Sequence, residues 1–258
     1  MKIVVCIKQV PDIHASADSE FDREAYHLLN NPNDLNALEE ALRLKEQYGG
    51  HITCLSMGPR KCEEQLRELL GMGADEAVLL SSPQFAGSDT YATSCILAAG
   101  IQKLGSFGIV ITGEQSVDGE TGQVGPGIAE LLGIPHIIGV EKINALHPQS
   151  VLIEKADEES RLVVKLPTPA LLAVRKSCNT PRIPSIRGRI AAARAEITIW
   201  SAEDLPLNSA NVGKSGSPTQ VLHTVNCEKN HQRVNSTKFF DECNPSEFME
   251  VVSHVLQL

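Results

Sequence analysis

The 258 residues carry 23 lysines and arginines against 32 aspartates and glutamates, a formal charge of −9 that argues against generic nucleic-acid binding. Aromatic residues make up only 4%, while Ala, Leu, Ile and Val are plentiful, a balance that suits α/β packing better than a β-sandwich. The length suffices for one large domain or one domain with an appendage, and no apolar run reaches membrane-spanning length, so no membrane partner is expected.

The first eight residues, Met1 to Lys8, run straight into an apolar strand rather than a signal peptide, which predicts a cytoplasmic protein. Seven cysteines (Cys6, Cys54, Cys62, Cys95, Cys178, Cys227 and Cys243) are an odd number at scattered positions, as expected of buried thiols in a reducing compartment. Lys2 to Ile7 reads as a central parallel strand, and residues 10–32 read as a long connection. Asn30 to Asp34 opens a helix whose apolar spacing ends at Gly49-Gly50. His51 to Ser56 is the next strand, ended by Met57-Gly58-Pro59; Cys62 to Met72 is a helix stopped by Gly73. Ala77 to Leu80 is a strand, Asp89 to Leu104 a helix capped from Gly87-Ser88-Asp89, and Phe107 to Thr112 a fourth strand. Helical spacing returns at Ile128 to Leu132. Val140 to Ile153 and Leu162 to Leu166 suggest two strands around the charged turn at Asp157-Glu158-Glu159, and Ala170 to Val174 one more. After Trp200 the apolar density falls, so residues 200–244 read as an extended arm and Phe248 to Leu256 as a terminal helix. Strand and helix alternate four times in the first half, which predicts a doubly wound, mostly parallel α/β sheet over residues 1–199 and an arm over 200–258.

Ligands of such sheets lie beyond the carboxyl ends of the strands. There the pattern brings together Lys8 to Asp12, Asn31 to Asp34, Met57 to Pro59, Ser81-Ser82 and the stretch Gly113 to Pro126. That last stretch lies between a strand and a helix. Asp118 or Ser116 can cap the helix, while Gly119, Gly122 and Gly125 let a backbone approach a ligand. Unpaired N–H groups of a first helical turn favour phosphate or pyrophosphate, although a capped turn without a ligand has the same local pattern. Glu114, Asp118 and Glu120 repel phosphate, so a bound phosphate needs the backbone and a cation from elsewhere.

Other signatures are absent. Lys8-Gln-Val-Pro-Asp12 follows the first strand where a G-x-G-x-x-G dinucleotide fingerprint belongs, and Gly213-Lys214-Ser215 lacks the earlier glycine of a phosphate loop, Asn208 standing in its place. Histidines and cysteines show no metal-ligand spacing, no metal is expected, and no catalytic residue is assigned. Pro181 to Arg194 holds four arginines, with Ile183 and Ile186 among them and two prolines stiffening the loop. It reads either as a solvated helix start or as an apolar anchor ringed by cations that an acidic protein partner recognises.

Taken in order, Cys6-Ile-Lys8-Gln-Val-Pro-Asp12, Asn31-Pro32-Asn33-Asp34 before Ala37 to Ala41, Met57-Gly58-Pro59, Gly71-Met-Gly-Ala-Asp75, Asp118 to Pro126 and Asn179 to Gly188 resemble the β subunit of electron-transfer flavoproteins over residues 1–225. The resemblance implies a Rossmann-like adenine-nucleotide-binding domain in a heterodimer. The larger α subunit carries an FAD that exchanges electrons with an acyl-CoA dehydrogenase, a hydroxy-acid dehydrogenase or a similar flavin enzyme. It also implies a second nucleotide in the β crevice: a structural AMP in ordinary members, or a second FAD, reduced by NADH at the α/β interface, in electron-bifurcating members. Matching positions assign the nucleotide to Cys6, Asn31, Pro32, Asn33, Asp34, Met57, Gly113, Asp118, Gly119, Glu120, Thr121, Gly122, Gln123 and Val124. Ile186, with Arg182 and Arg187, corresponds to the loop that docks the dehydrogenase, and the arm after residue 200 to one that wraps the α subunit. Ser215 to Thr219 resembles members with FAD in both subunits, which favours the bifurcating reading. The alternatives are an AMP-holding β subunit and a stand-alone adenine-nucleotide sensor. The chain departs from the family at Glu114, where Lys is common, in a hairpin shortened near Glu154 to Arg161, and in Ala191-Ala-Ala-Arg194 where a lysine-rich run is usual.

Overall fold

The computed structural model describes residues 1–12, 27–156 and 160–219. Its centre is β1 (Lys2–Cys6), whose Ile3, Val4 and Val5 are fully buried because the sheet is covered on both faces. Alternation along the strand decides what each residue meets. Ile3 and Val5 pack with Leu38 and Ala41 and with Leu66 and Leu69, whereas Val4 and Cys6 pack with Ile96, Ile101 and Ile128. After β1 the short strands β2 (Gln9–Pro11) and β3 (Leu28–Asn30) pair antiparallel, inside the connection that carries no strand in the sequence reading. Each is only three residues long, too short for a periodic signal.

The helix α1 (Pro32–Tyr48) leads to β4 (His51–Met57), α2 (Glu63–Met72), β5 (Glu76–Leu80), α3 (Thr90–Leu104), β6 (Ile109–Gly113) and α4 (Val124–Leu132). Beyond lie β7 (His136–His147), β8 (Ser150–Ala156), β9 (Arg161–Pro167), β10 (Ala170–Val174), α5 (Ile186–Ala193), β11 (Thr198–Trp200) and the single turn α6 (Gly213–Gly216). The nine-stranded sheet runs β11-β5-β4-β1-β6-β10-β7-β8-β9, parallel up to β7 and antiparallel from β7 to β9. The doubly wound, mostly parallel α/β fold is therefore as the alternation predicts.

Two boundaries differ. The span Val140 to Ile153 is not one strand: Pro148 and Gln149 turn the chain, so that β7 and β8 pair back with His147 opposite Ser150. Apolar residues on both sides of a two-residue turn hide it from a periodicity argument. The polar stretch after Trp200 begins on the domain itself, since β11 pairs with β5 and Leu205 and Val212 are buried in the α3 side of the core. Lys103 Nζ lies 4.6 Å from the Trp200 ring centre, adding a cation–π contact at that edge. The turn at 157–159, residues 220–258 with the expected terminal helix, Cys227 and Cys243 lie outside the described residues. Cys6, Cys54, Cys62 and Cys95 are buried free thiols. Among the described residues no helix is long and apolar enough to cross a membrane.

Candidate functional site

The chain leaves β1 for β4 and β5 on one side and then returns to β6 on the other, so the sheet's topological switch point lies between β1 and β6. Beyond the carboxyl ends of these strands opens a crevice of about 760 Å³. Of the residues assigned by matching, Cys6, Asn31, Asp34, Met57, Gly113, Asp118, Gly119, Thr121, Gly122, Gln123 and Val124 line it. Pro32, Asn33 and Glu120 stand outside the lining: Pro32 is the first residue of α1, Asn33 Nδ2 donates to the Gln115 carbonyl at 2.8 Å, and Glu120 turns the loop at φ 51°. Ser81 and Ser82 are also outside, because the Ser81 N–H is drawn to the Trp200 carbonyl and the Ser82 hydroxyl caps the short turn at Pro83.

Asp34 holds the floor together. One carboxylate oxygen accepts the Lys8 N–H at 2.8 Å and the other the Gly113 N–H at 3.0 Å, which ties the end of β1 to the end of β6. Burial raises its pKa to about 6, against the opposing hydrogen bonds from Lys8, Asn31 and Gly113. Burial, with Asp34 beside it, pushes the Cys6 thiol up to about 12, so Cys6 is packing rather than a nucleophile. Asn31 Nδ2 donates to the Gln115 carbonyl at 3.0 Å and its Oδ1 accepts the Val117 N–H at 3.2 Å, fixing the base of the glycine-rich loop.

The loop itself corrects the expected cap. The helix α4 starts at Val124 with Gln123 as N-cap and no side-chain cap bond, so neither Asp118 nor Ser116 caps it. Asp118 instead accepts from Lys8 Nζ at 2.6 and 2.8 Å, with Ser116 Oγ 3.3 Å from the same ammonium. Burial alone would raise Asp118, but the bonds from Lys8 and Ser116 outweigh it and hold the carboxyl below its ordinary range. Lys8 is thus a cation supplied from another segment, and Lys61 also lines the crevice. Glu114 is 3.6 Å from the Arg175 guanidinium, which offsets part of its charge. Gln123 Oε1 accepts from Thr90 Oγ1 at 2.9 Å, bringing in the start of α3. Lys8 lines the crevice as the strand-end rule expects of the Lys8 to Asp12 segment, whereas the lining residues Lys61, Thr90 and Thr112 were not among those expected and only their spatial neighbours reveal them.

Three observations fit these residues to a nucleotide. Among the described residues, nothing accepts from the Val124 and Gly125 N–H groups at the start of α4, and Pro126 has none. The Thr112 hydroxyl, on the same wall, is buried without a hydrogen-bond partner. Beside Gly122 the space is open, the place of a Cβ lying 3.5 Å from its nearest neighbour, the Glu114 carbonyl oxygen, and its φ of +63° favours glycine there.

The arginine-rich segment is organised differently from the crevice. Arg182 forks onto the nearly buried Glu39 at 2.8 and 3.0 Å and reaches Glu46 at 2.5 Å, fastening the loop to α1. Burial would raise Glu39, but Arg182 holds it below the usual carboxylate range. Above that fastening, Ile183 and Ile186 are 81% and 82% exposed, with Ile190 one turn further along α5.

A family model described as the electron transfer flavoprotein domain matches residues 21–205. An electron transfer flavoprotein subunit beta from Clostridium acetobutylicum is 47% identical over 228 residues, covering 86% of each chain. The chain belongs to the electron transfer flavoprotein β-subunit family. Other family relatives are a protein FixA from Azorhizobium caulinodans, 43% identical over 86% of this chain and 83% of its own, and a caffeyl-CoA reductase–Etf complex subunit CarD from Acetobacterium woodii, 41% identical over 87% of each. Membership agrees with the motif resemblance and with the fold. Electron transfer is the function of an electron transfer flavoprotein β subunit, and β subunits of this family pair with an α subunit.

Proposed function

We propose that this β subunit, paired with its α subunit in the cytoplasm, holds an FAD in the crevice at the β1/β6 switch point and takes part in NADH-dependent electron bifurcation. The carrying observation is the crevice itself: at about 760 Å³ it lies in the upper part of the ~300–1,000 Å³ range of small-molecule sites and reaches from the α4 N-terminus past Met57 to Lys61. That is more room than a mononucleotide fills. The flavin, when bound, supplies the one- and two-electron chemistry. The chain's own residues bind and orient it. Asp34 and Gly113 fix the floor, the Val124 and Gly125 N–H groups are the donors for phosphate, Lys8 offsets the Asp118 carboxylate that would otherwise repel it, and Met57 and Leu97 offer apolar wall. The caffeyl-CoA reductase named for the Acetobacterium woodii relative supports a CoA-ester dehydrogenase as the partner, docked at Ile186 and Arg187.

The test is the nucleotide stoichiometry of the purified αβ complex after denaturation. The proposal expects two FAD per heterodimer. One FAD with one AMP establishes the ordinary electron-transferring reading, and adenine nucleotide without flavin or α subunit establishes the sensor reading.

A further inference from the structure

We propose that Asp89 is a positioning residue that couples the nucleotide crevice to the root of the C-terminal segment. Asp89 lies on the crevice wall with Ser88, Thr90 and Thr93. Its carboxylate is divided between two tasks. Oδ1 caps α3 by accepting the Ala92 N–H at 3.0 Å, while Oδ2 accepts both the N–H and the hydroxyl of Thr219, at 2.9 and 2.6 Å. The Asp89 N–H donates to Ser217 Oγ at 2.8 Å, and that buried hydroxyl donates to the Gly213 carbonyl at 2.7 Å. Backbone contacts complete the clasp: the Gly213 N–H donates to Ser88 Oγ, and the Lys214 N–H to the Ala86 carbonyl. The approach is close enough that a Cβ on Gly213, at φ +62°, would fall 2.1 Å from the Gln84 carbonyl oxygen.

The other side of the same turn leads into the site. Thr90, the next residue, donates to the side chain of Gln123, the N-cap of α4, and Ser94 one turn on reaches the Val124 carbonyl at 3.4 Å. Hydrogen bonds at the two adjoining residues Asp89 and Thr90 therefore join Thr219, on one side, to Gln123 at the start of α4, on the other. Residues 213–219 bury little apolar surface of their own, so these polar bonds to ionised Asp89 dominate their seating. A ligand that orders Gln123 and the start of α3 orders the clasp, and by linkage a seated clasp tightens the ligand by the same factor. This inference rests on the reading of the crevice as a nucleotide site.

The experiment uses the αβ complex. Asp89→Ser keeps a good N-cap for α3 while losing the grip on Thr219, and Thr219→Val removes the hydroxyl donor while leaving the cap intact. Loss of bound nucleotide is followed by chase, and amide exchange at Thr219 is compared in nucleotide-loaded and nucleotide-stripped complexes. We expect both variants to lose nucleotide about tenfold faster, and nucleotide to slow exchange at Thr219 about tenfold in the unsubstituted complex. Thr90→Val, which cuts the path at Gln123, abolishes the nucleotide effect on Thr219 exchange. Unchanged nucleotide loss in the two variants, together with equal Thr219 exchange in loaded and stripped complexes, overturns the coupling alone. An unsubstituted complex that carries no nucleotide beyond the α-subunit flavin overturns the reading of the crevice and the coupling with it.

Discussion

Gly113 stands where β6 ends against the first turn of α1, and its missing side chain gives Asp34 access to both strand ends. A Cβ there would lie 2.5 Å from Asp34 Oδ1 and 2.7 Å from the Asn33 carbonyl carbon. We expect Gly113→Ala to cost about 2–3 kcal/mol in urea unfolding. Gly119→Ala, whose Cβ would meet only Ser116 Oγ at 3.4 Å, should stay within about 0.5 kcal/mol of the parent. Equal costs at the two positions would show that close packing at Gly113 is not what its small size serves. Asp34 adds a pH signature. Its folded pKa of about 6 lies above the ordinary 3.8, so the folded state binds the proton more tightly. The resulting stabilisation is complete below about pH 4 and is lost as pH rises through 6, on the order of 2–3 kcal/mol in all. Urea midpoints of the parent and Asp34→Asn between pH 4 and 6.5 should therefore converge or cross, and parallel curves would reject the assignment. The sequence marks Asp34 and Gly113 as site residues, yet their bond to each other spans 79 positions and no local pattern encodes it.

At the scale of elements, the junction from β6 to α4 was the most legible part of the site. Strand character stops at Gly113 and helical spacing is clear by Ile128, so the intervening glycines had to form a loop. Where α4 begins was not legible, because Asp118 looks like a cap until Lys8 is known to lie beside it. Gly122→Asp places a side chain and a charge in that loop, at a positive φ, and should lower bound nucleotide at least severalfold in the purified complex; full occupancy would move the nucleotide elsewhere. The segment before α5 separates into an anchor and a display. Arg182→Ala leaves Glu39 nearly buried without its main partner and is expected to cost about 2 kcal/mol in urea unfolding, whereas Arg187→Ala leaves stability unchanged. For Ile186→Ala we expect normal nucleotide content and roughly tenfold slower electron transfer to the dehydrogenase in stopped-flow measurements. An unchanged rate would remove Ile186 from the docking surface.

For the whole molecule, the alternation of strands and helices was enough to predict the doubly wound sheet, while the antiparallel hairpin of β7 and β8 was hidden in a single apolar-rich span. The expected arm boundary at residue 200 falls before β11, Leu205 and Val212 have finished packing, and one compact unit extends from Met1 to Leu222. A chain ended after residue 222 is therefore expected to unfold at the parent's urea midpoint but to lose co-purification with the α subunit; retained pairing would show that the remaining residues do not wrap it. The ion pair of Lys8 with Asp118 joins positions 110 residues apart. A contact of that separation closes a long loop, so its entropy cost must be met before the contact rewards it. During synthesis the chain thus owns half a crevice until β6 has been made and laid beside β1. A nucleotide bound as proposed would accordingly meet its complete lining only on the finished sheet, since that lining is drawn from both halves of it.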